Sequence, residues 1–418
     1  MSSTSPKTSM KGRVGALLGI LLLALSLRAA VVSVPPLLAR IQSDIQFSEF
    51  TIGLLATLAP IVFAVSGLLT PRLIRGFGLE RTLILSIGLA IVGQVSRIFM
   101  PEVYSFLGMS IVALAGYGIG NVVLPPLVKK YFPDHIGIVT SGYVTMLAIG
   151  TWMAPQFSVP LANVTDWKIS IGSWAVLSTI VLIPWILQIV ADRKVDRPDQ
   201  PNLASAAVQP LVKINPWKSK VAWGLAIFLA GNSAQTYVYF TWLPPYLQAR
   251  GLDELTAGNM LALFAILGLP VSLLVPLWVP RLKNPIFAVL VFTVFWVTGH
   301  LGIYLSPTNG TAFWVAMAGL GQGTFAIALL MMNLRSRTTY GSGVLSGFAQ
   351  GLGYAGAGIV PMLFGVVQKA TDSWGVAFSM LGICVVVMLI GAVIINPPTT
   401  IEDTAPGVEE AGKLERLS

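Results

Sequence analysis

The chain has 418 residues, of which 55% are hydrophobic and only 10% charged, with a mean hydropathy of +0.78. A soluble globular domain carries about 25% charged residues, so this composition excludes a water-solvated enzyme and points to a chain solvated by lipid. The net charge of +9 raises nucleic acid as a partner, which the placement of the charges excludes below. A single cysteine, Cys384, rules out an internal disulfide, and two histidines, His135 and His300, rule out a histidine metal cluster.

Apolar stretches long enough to cross a bilayer, about 20 residues each, recur along the chain. They predict helices at 14–38, 50–71, 82–100, 103–127, 137–161, 170–191, 221–247, 255–279, 285–305, 311–333, 341–368 and 375–395. The first is longer than a signal-peptide core and lacks a following small-residue cleavage site, so it is read as retained. The predicted organisation is an N-terminus at 1–13, a six-helix bundle at 14–191 and a linker at 192–219. A second six-helix bundle at 220–395 and a tail at 396–418 complete it. The linker is rich in charge and proline (Arg193, Lys194, Arg197, Pro198, Pro201, Pro210). The tail, acidic and proline-containing, is expected to be disordered.

Lysine and arginine divide unevenly between the loops. One side collects Lys7, Lys11, Arg13, Arg72, Arg75, Arg81, Lys129, Lys130, six residues around the linker, Arg281, Lys283, Arg335, Arg337, Lys413 and Arg416. The other holds Arg40, Arg97, Lys168, Arg250 and Lys369. Positive charge accumulates on the cytoplasmic side of membrane proteins. Both termini are therefore expected in the cytoplasm of a bacterial-type plasma membrane, and the basic balance reflects topology rather than nucleic-acid binding.

The two halves echo each other. Val34-Pro35-Pro36-Leu37-Leu38-Ala39-Arg40 ends the first helix, and Leu243-Pro244-Pro245-Tyr246-Leu247-Gln248-Ala249-Arg250 ends the seventh. Thr70-Pro71-Arg72-Leu73 follows the second, and Val279-Pro280-Arg281-Leu282 the eighth. Pro35 to Pro244 and Pro71 to Pro280 share one offset, and parallel repeats of this kind place a substrate site near the midplane, between the halves.

Every carboxylate falls in a loop, at a helix end or in the tail, whereas Arg28 lies mid-helix. It is about 21 Å from Val14 and about 15 Å from residue 38 along a helix rising 1.5 Å per residue. A buried arginine at that depth costs about 2.5–3.5 kcal/mol or more and normally faces a cavity or a partner. Without an acidic partner, its planar donor fork is free for a carboxylate-like or strongly polar substrate. The repeat offset carries Arg28 onto Tyr237, which would donate from the opposite wall.

Gln350 and Tyr354, four apart and so on one helical face, stand among Gly347, Gly351, Gly353, Gly356 and Gly358 and are expected to face the cavity. Asn121, after the small-residue run Gly116-Tyr117-Gly118-Ile119-Gly120, is either interhelical glue or pore lining. Asn232, Gln235 and Gln322 are further polar candidates. Arg97, near a helix end, is expected to snorkel, and His300, alone on its helix, to be structural rather than a proton relay. No nucleophile–base set, phosphate loop or metal-ligand motif accompanies these residues, so neither catalysis nor a cofactor is expected.

Leu27-Arg28-Ala29 with Ser33-Val34-Pro35-Pro36-Leu37-Leu38, Pro71-Arg72-Leu73 with Phe77-Gly78-Leu79-Glu80-Arg81, and Gly118-Ile119-Gly120-Asn121 through Pro125, Lys129 and Phe132-Pro133 form a pattern. Tyr237 with Trp242-Leu243-Pro244, and Leu345-Ser346-Gly347 with Ala349-Gln350 and Gly353-Tyr354, extend it. Over its whole length the chain resembles the major facilitator superfamily, and within it the cyanate permease and 2-nitroimidazole transporter branch. That resemblance implies an all-α integral membrane fold of twelve transmembrane helices in two pseudo-symmetric six-helix bundles. It implies alternating-access transport of a small polar or anionic solute, with a proton as a possible coupled ion and a monomer as the working unit. Arg28, Tyr237, Gln350, Tyr354, Asn121, Asn232, Trp242 and Gln322 become the substrate-binding set, and Arg72, Glu80, Arg81 and Arg281 the gating-loop set. Export of a neutral toxic heteroaromatic is the alternative.

The sequence departs from the family pattern in places. Pro71 stands where the superfamily's loop motif is acidic, with Glu80 as the stand-in. Ser26 and Asn232 replace the branch's frequent Asn and Gln. Gly150-Thr151-Trp152-Met153-Ala154-Pro155 lacks the trailing glycines of drug antiporters, which argues against a multidrug exporter.

Overall fold

The computed structural model describes residues 13–195, 214–282 and 284–404. The central part of the linker, the tail beyond Thr404 and the basic residues Lys7, Lys11, Arg197, Lys213, Lys283, Lys413 and Arg416 lie outside the described residues. Within them the chain is helical: α1 (Val14–Val32), α2 (Glu49–Phe77), α3 (Leu79–Arg97), α4 (Val103–Tyr131), α5 (Ile136–Val164) and α6 (Trp167–Val195) come first. Then follow α7 (Lys220–Ala249), α8 in two pieces (Glu254–Ile266 and Gly268–Trp278) and α9 (Ile286–Leu305). The series closes with α10 in two pieces (Thr311–Gly321 and Gly323–Leu334), α11 (Thr339–Thr371) and α12 (Trp374–Ile395). Ten of these spans are apolar and long enough to cross a membrane. The described apolar run of α1 is shorter, and α7 is made more polar by Asn232, Ser233, Gln235 and Thr236. With those two the described spans number twelve.

Proline separates the first repeat from the second. Pro35 and Pro36 end α1 early in a tight turn, after which a short helix (Leu38–Asp44) resumes, because proline supplies no backbone N–H to the helical ladder. The repeat-related Pro244 and Pro245 are instead carried inside α7. The interruptions of α8 and α10, absent from the sequence expectation, face one another. The Gln322 amide donates to the Phe264 carbonyl at 2.6 Å and to that of Gly319 at 3.2 Å. A side chain inserted at a backbone carbonyl is a regular cause of such breaks.

The tail also differs from expectation. Residues 401–404 form a turn docked on the loop between α10 and α11: Ile401 is buried, and its N–H donates to the Arg335 carbonyl at 2.9 Å. Glu402 accepts from the N–H groups of Arg337 and Thr338, both at 2.9 Å, at the start of α11. A helix N-terminus offers unpaired donors and a partial positive charge, so a carboxylate there orders a segment that composition alone marks as disordered.

We call the end at which α1 begins the basic face, since Arg13, Arg72, Arg75, Arg81, Lys129, Lys130, Arg281, Arg335 and Arg337 cluster there. The helices before the linker meet those after it along a seam made by α2 and α4 with α11 and by α5 with the second piece of α8. On α11, glycines at spacing four let backbones touch. A Cβ on Gly347 would lie 2.5 Å from the Gly67 carbonyl, and one on Gly351 would lie 2.9–3.1 Å from atoms of Leu68 and Ala64. Small residues at this spacing drive helix association where lipid gives no hydrophobic force.

Candidate functional site

Beside the glycine stripe, α11 carries a polar stripe at the same spacing, Ser346, Gln350 and Tyr354. Ser346 Oγ donates to the Val122 carbonyl at 3.0 Å, and Gln350 Nε2 donates to the Asn121 carbonyl at 3.1 Å and to Ser346 Oγ at 2.8 Å. One turn farther from the basic face, the Tyr354 hydroxyl accepts from Arg28 Nη2 at 3.1 Å. Nearer that face, Lys129 Nζ donates to the Asn333 carbonyl at 2.7 Å and also to that of Ser336. A cation there neutralises the negative end of α10. Ser141 Oγ donates to the Leu273 carbonyl at 2.5 Å across α5 and α8. The seam is thus stitched between the basic face and Arg28.

Arg28 is the centre of the polar cluster that this stitching leads to. Its guanidinium is half-buried, and the Tyr237 hydroxyl from α7 lies against it alongside that of Tyr354. Phe63 of α2 packs edge-on against Tyr354 at 5.3 Å between ring centroids, and Phe240 lies edge-on to Tyr237 at 6.3 Å. None of the ion pairs among the described residues, Lys130–Glu80, Lys168–Asp44 and Arg337–Asp403, involves Arg28. The cluster therefore gathers hydrogen-bond donors and aromatic faces from both repeats, without a carboxylate.

A protein-family model for the Major Facilitator Superfamily matches residues 16–361. The chain belongs to that superfamily. It is 32% identical to an uncharacterized transporter, YycB, of Bacillus subtilis (strain 168), over 88% of this chain and 90% of the relative. It is 28% identical to the 2-nitroimidazole transporter of Escherichia coli (strain K12), covering 92% of this chain and 95% of that one. To the cyanate transport protein CynX of the same organism it is 24% identical, covering 90% and 95%. As a member of this superfamily it is a multi-pass membrane transporter of small solutes, and the resemblance read from the motifs is to the branch those relatives represent.

In this facilitator, the residues named from sequence fall into three groups. Arg28, Tyr237 and Tyr354 come together. Asn121, Asn232, Gln322, Trp242 and Gln350 are engaged in bonds within or between helices. Asn121 Nδ2 donates to the Tyr117 carbonyl at 3.1 Å, and Asn232 Oδ1 accepts from Thr324 Oγ1 at 2.6 Å. Trp242 Nε1 donates to the Pro361 carbonyl at 2.8 Å, while Gln350 and Gln322 are held as described above. The gating-loop residues form the third group: Arg72, Arg81 and Arg281 are exposed, and Glu80 pairs with Lys130 and accepts from the Tyr131 hydroxyl at 3.2 Å. Those Glu80 bonds stay within the first repeat, so the described stitches across the seam come from Lys129, Ser141, Ser346 and Gln350 instead.

Two further basic residues, Arg97 and His300, lie away from the Arg28 cluster, and the first departs from expectation. Arg97 does not snorkel: it is 3% exposed, inside the first repeat, with Tyr117 near it. Its position at a helix end concealed that α4 and α6 close over it. His300 is buried with both ring nitrogens engaged, Nδ1 with the Tyr239 hydroxyl at 2.7 Å and Nε2 with Gln235 Oε1 at 2.8 Å. Because an amide oxygen only accepts, Nε2 carries the proton and Nδ1 accepts from the tyrosine. The residue that sequence reading missed is Lys129 as a seam contact. Lys129 was legible as a basic charge and as part of the family pattern, but neither reading gave it partners across the seam.

Proposed function

We propose that this transporter carries a small solute whose recognised group is polar and rich in acceptors, a planar carboxylate-like or linear cyanate-like anion, and that Arg28 anchors it. The observation that carries the reading is the meeting of Arg28, Tyr237 and Tyr354, contributed by both repeats and without a carboxylate. A guanidinium has five donors in a rigid fork, and the two hydroxyls against it leave most of that fork for a ligand. On this reading residues 14–191 and 220–395 are the two bundles that rock about the site, with the stitched seam opening at the basic face. Both termini lie in the cytoplasm, and the unit is a monomer.

The nitro group is also planar and acceptor-only, and the aromatic faces of Phe63 and Phe240 suit a small heteroaromatic ring. Export of nitroimidazole-like compounds is therefore the second reading, favoured by those rings and by the similarity to the 2-nitroimidazole transporter.

Binding to purified protein tests the anchor. Arg28→Lys keeps the charge but loses the fork. It should weaken binding of cyanate, small carboxylates or 2-nitroimidazole by roughly ten- to a hundredfold, the equivalent of about 1.5–3 kcal/mol. Its melting temperature should change little. Affinity equal to that of the unaltered protein would remove Arg28 from the site. Dependence of binding on the charge of the probe separates the two readings: anions bind best on the first, neutral heteroaromatics on the second.

A further inference from the structure

Among the described stitches between Arg28 and the basic face, those of Ser141, Ser346 and Gln350 are neutral, and those of Lys129 carry a charge. A charge-assisted hydrogen bond is about twice as strong as a neutral one, so Lys129 is the firmest of these closures. Its acceptors, the carbonyls of Asn333 and Ser336, belong to the end of α10 and the loop to α11. Carbonyls at a helix C-terminus have no partners inside the helix.

That loop is gripped from behind. The Arg335 side chain donates to the carbonyls of Ile395 at 2.8 Å and Asn396 at 2.9 Å, at the end of α12. The Arg335 carbonyl accepts from Ile401, and Glu402 Oε2 accepts from the Arg337 N–H at 2.9 Å. Glu402 Oε1 takes the Thr338 N–H and hydroxyl, at 2.9 and 2.8 Å. The carboxylate fits because residue 341 is glycine: a Cβ there would overlap Glu402 Oε1.

The Arg337 N–H and the Ser336 carbonyl are two ends of one peptide group. That group is planar and trans, so its N–H and C=O point in opposite directions. With the N–H drawn to Glu402, the carbonyl faces the other way and meets Lys129. An anion, a peptide dipole and a cation thus lie in series, from the tail through the loop to the first repeat. Hydrogen bonds chained in this way polarise one another. Glu402 and Lys129 form no ion pair with each other, so the peptide carries the coupling.

We infer that Glu402 is a positioning residue for closure of the seam: it aims the Ser336 carbonyl at Lys129, and the tail turn 401–404 thereby holds the basic face shut. This rests on the proposed reading in which that face opens during transport. The loop belongs to the second repeat and Lys129 to the first, so loosening the turn makes the two easier to part.

Ile74 of α2 reports on the seam. It is buried opposite Gly343 of α11, where a Cβ would lie 3.1 Å from its Cδ1. With Cys384→Ser removing the native thiol, Ile74→Cys leaves one cysteine, which N-ethylmaleimide reaches when the seam parts. In purified, monodisperse, ligand-free protein, Lys129→Met keeps the aliphatic stem and should raise the labelling rate about tenfold. Glu402→Ala should raise it about threefold to fivefold. The double variant should label no faster than Lys129→Met alone, because Glu402 acts through that lysine. Where Glu402→Ala does not fold, Glu402→Gln, which keeps one acceptor oxygen, should give a smaller rise of the same sign. Labelling at the unaltered rate in the Glu402 variants, or rises that multiply in the double variant, overturns the role of Glu402 and leaves Lys129 as the closure. Labelling that no variant accelerates overturns opening at the basic face itself.

Discussion

His300 and Arg28 are both nitrogen bases set among tyrosines inside the membrane-spanning helices, yet their surroundings differ in one respect. Around His300 the accounting of donors and acceptors closes. Tyr239 gives to Nδ1, Nε2 gives to Gln235, and the Gln235 amide gives on to the Gly231 carbonyl at 2.9 Å. Aromatic rings complete the wall, with Trp296 and Tyr239 centred 5.3 and 5.4 Å from the imidazole. Around Arg28 it does not close, since a fork of five donors meets two hydroxyls. A satisfied network fixes a fold, and one with surplus donors is incomplete without a ligand. On the proposed reading, that difference separates the structural polarity around His300 from the binding polarity around Arg28.

The largest expected effect lies in the closed network. His300→Ala leaves a cavity and strands Tyr239 and the Gln235 oxygen together, so it should destabilise by about 3–5 kcal/mol. Affinity in the fraction that folds should be unchanged. Thermal unfolding and binding on one monodisperse sample check both halves, and a variant that melts normally but binds poorly would reverse the assignment of the two clusters. Arg28→Lys, described above, is the mirror case, with lost binding and retained stability.

A smaller test concerns protons. One pH unit coupled to one proton sustains about tenfold accumulation, equivalent to about 1.4 kcal/mol. His300 is engaged at both nitrogens, and every carboxylate of the sequence falls in a loop, at a helix end or in the tail. A permanently charged substrate should therefore not accumulate in proteoliposomes under an inside-alkaline gradient. Transport is then facilitative, exchange-driven or coupled through protonation of the substrate itself. Accumulation that tracks the gradient would make His300 the first residue to substitute.

Sequence legibility follows the same division. Arg28 could be read because charge at membrane depth is rare on any helix, and Tyr237 because the repeat offset carries Arg28 onto it. Tyr354 could be read from its spacing to Gln350 on one face. These are properties of one helix or of the repeat. Gln322, Gln350 and Asn232 looked identical in kind to the site residues, but their partners, the Phe264 carbonyl, the Asn121 carbonyl and Thr324, lie on other helices. Whether an amide is engaged or free depends on those contacts, which no local pattern encodes. The docking of residues 401–404 escaped for the same reason: a lone Ile401 and a Glu402 acquire meaning only against the start of α11.

The finest prediction distinguishes the two hydroxyls already touching Arg28. Tyr354 is buried, receives a hydrogen bond from Nη2 at 3.1 Å and stacks edge-on with Phe63, so its hydroxyl holds the guanidinium in place. Tyr237 is half-buried and belongs to the opposite repeat, so its hydroxyl is accessible to a ligand. Tyr354→Phe should therefore lower the melting temperature as well as affinity, because it leaves a partly buried guanidinium short of an acceptor, at about 1–2 kcal/mol. Tyr237→Phe should lower affinity alone, by about 1 kcal/mol or roughly fivefold. In the Arg28→Lys background each substitution should lose most of its effect on binding, since contacts that share one partner are not additive. Should Tyr237→Phe weaken binding as much with Lys at position 28 as with Arg, the two residues would act on the ligand independently, and the single cluster drawn around Arg28 would have to be divided.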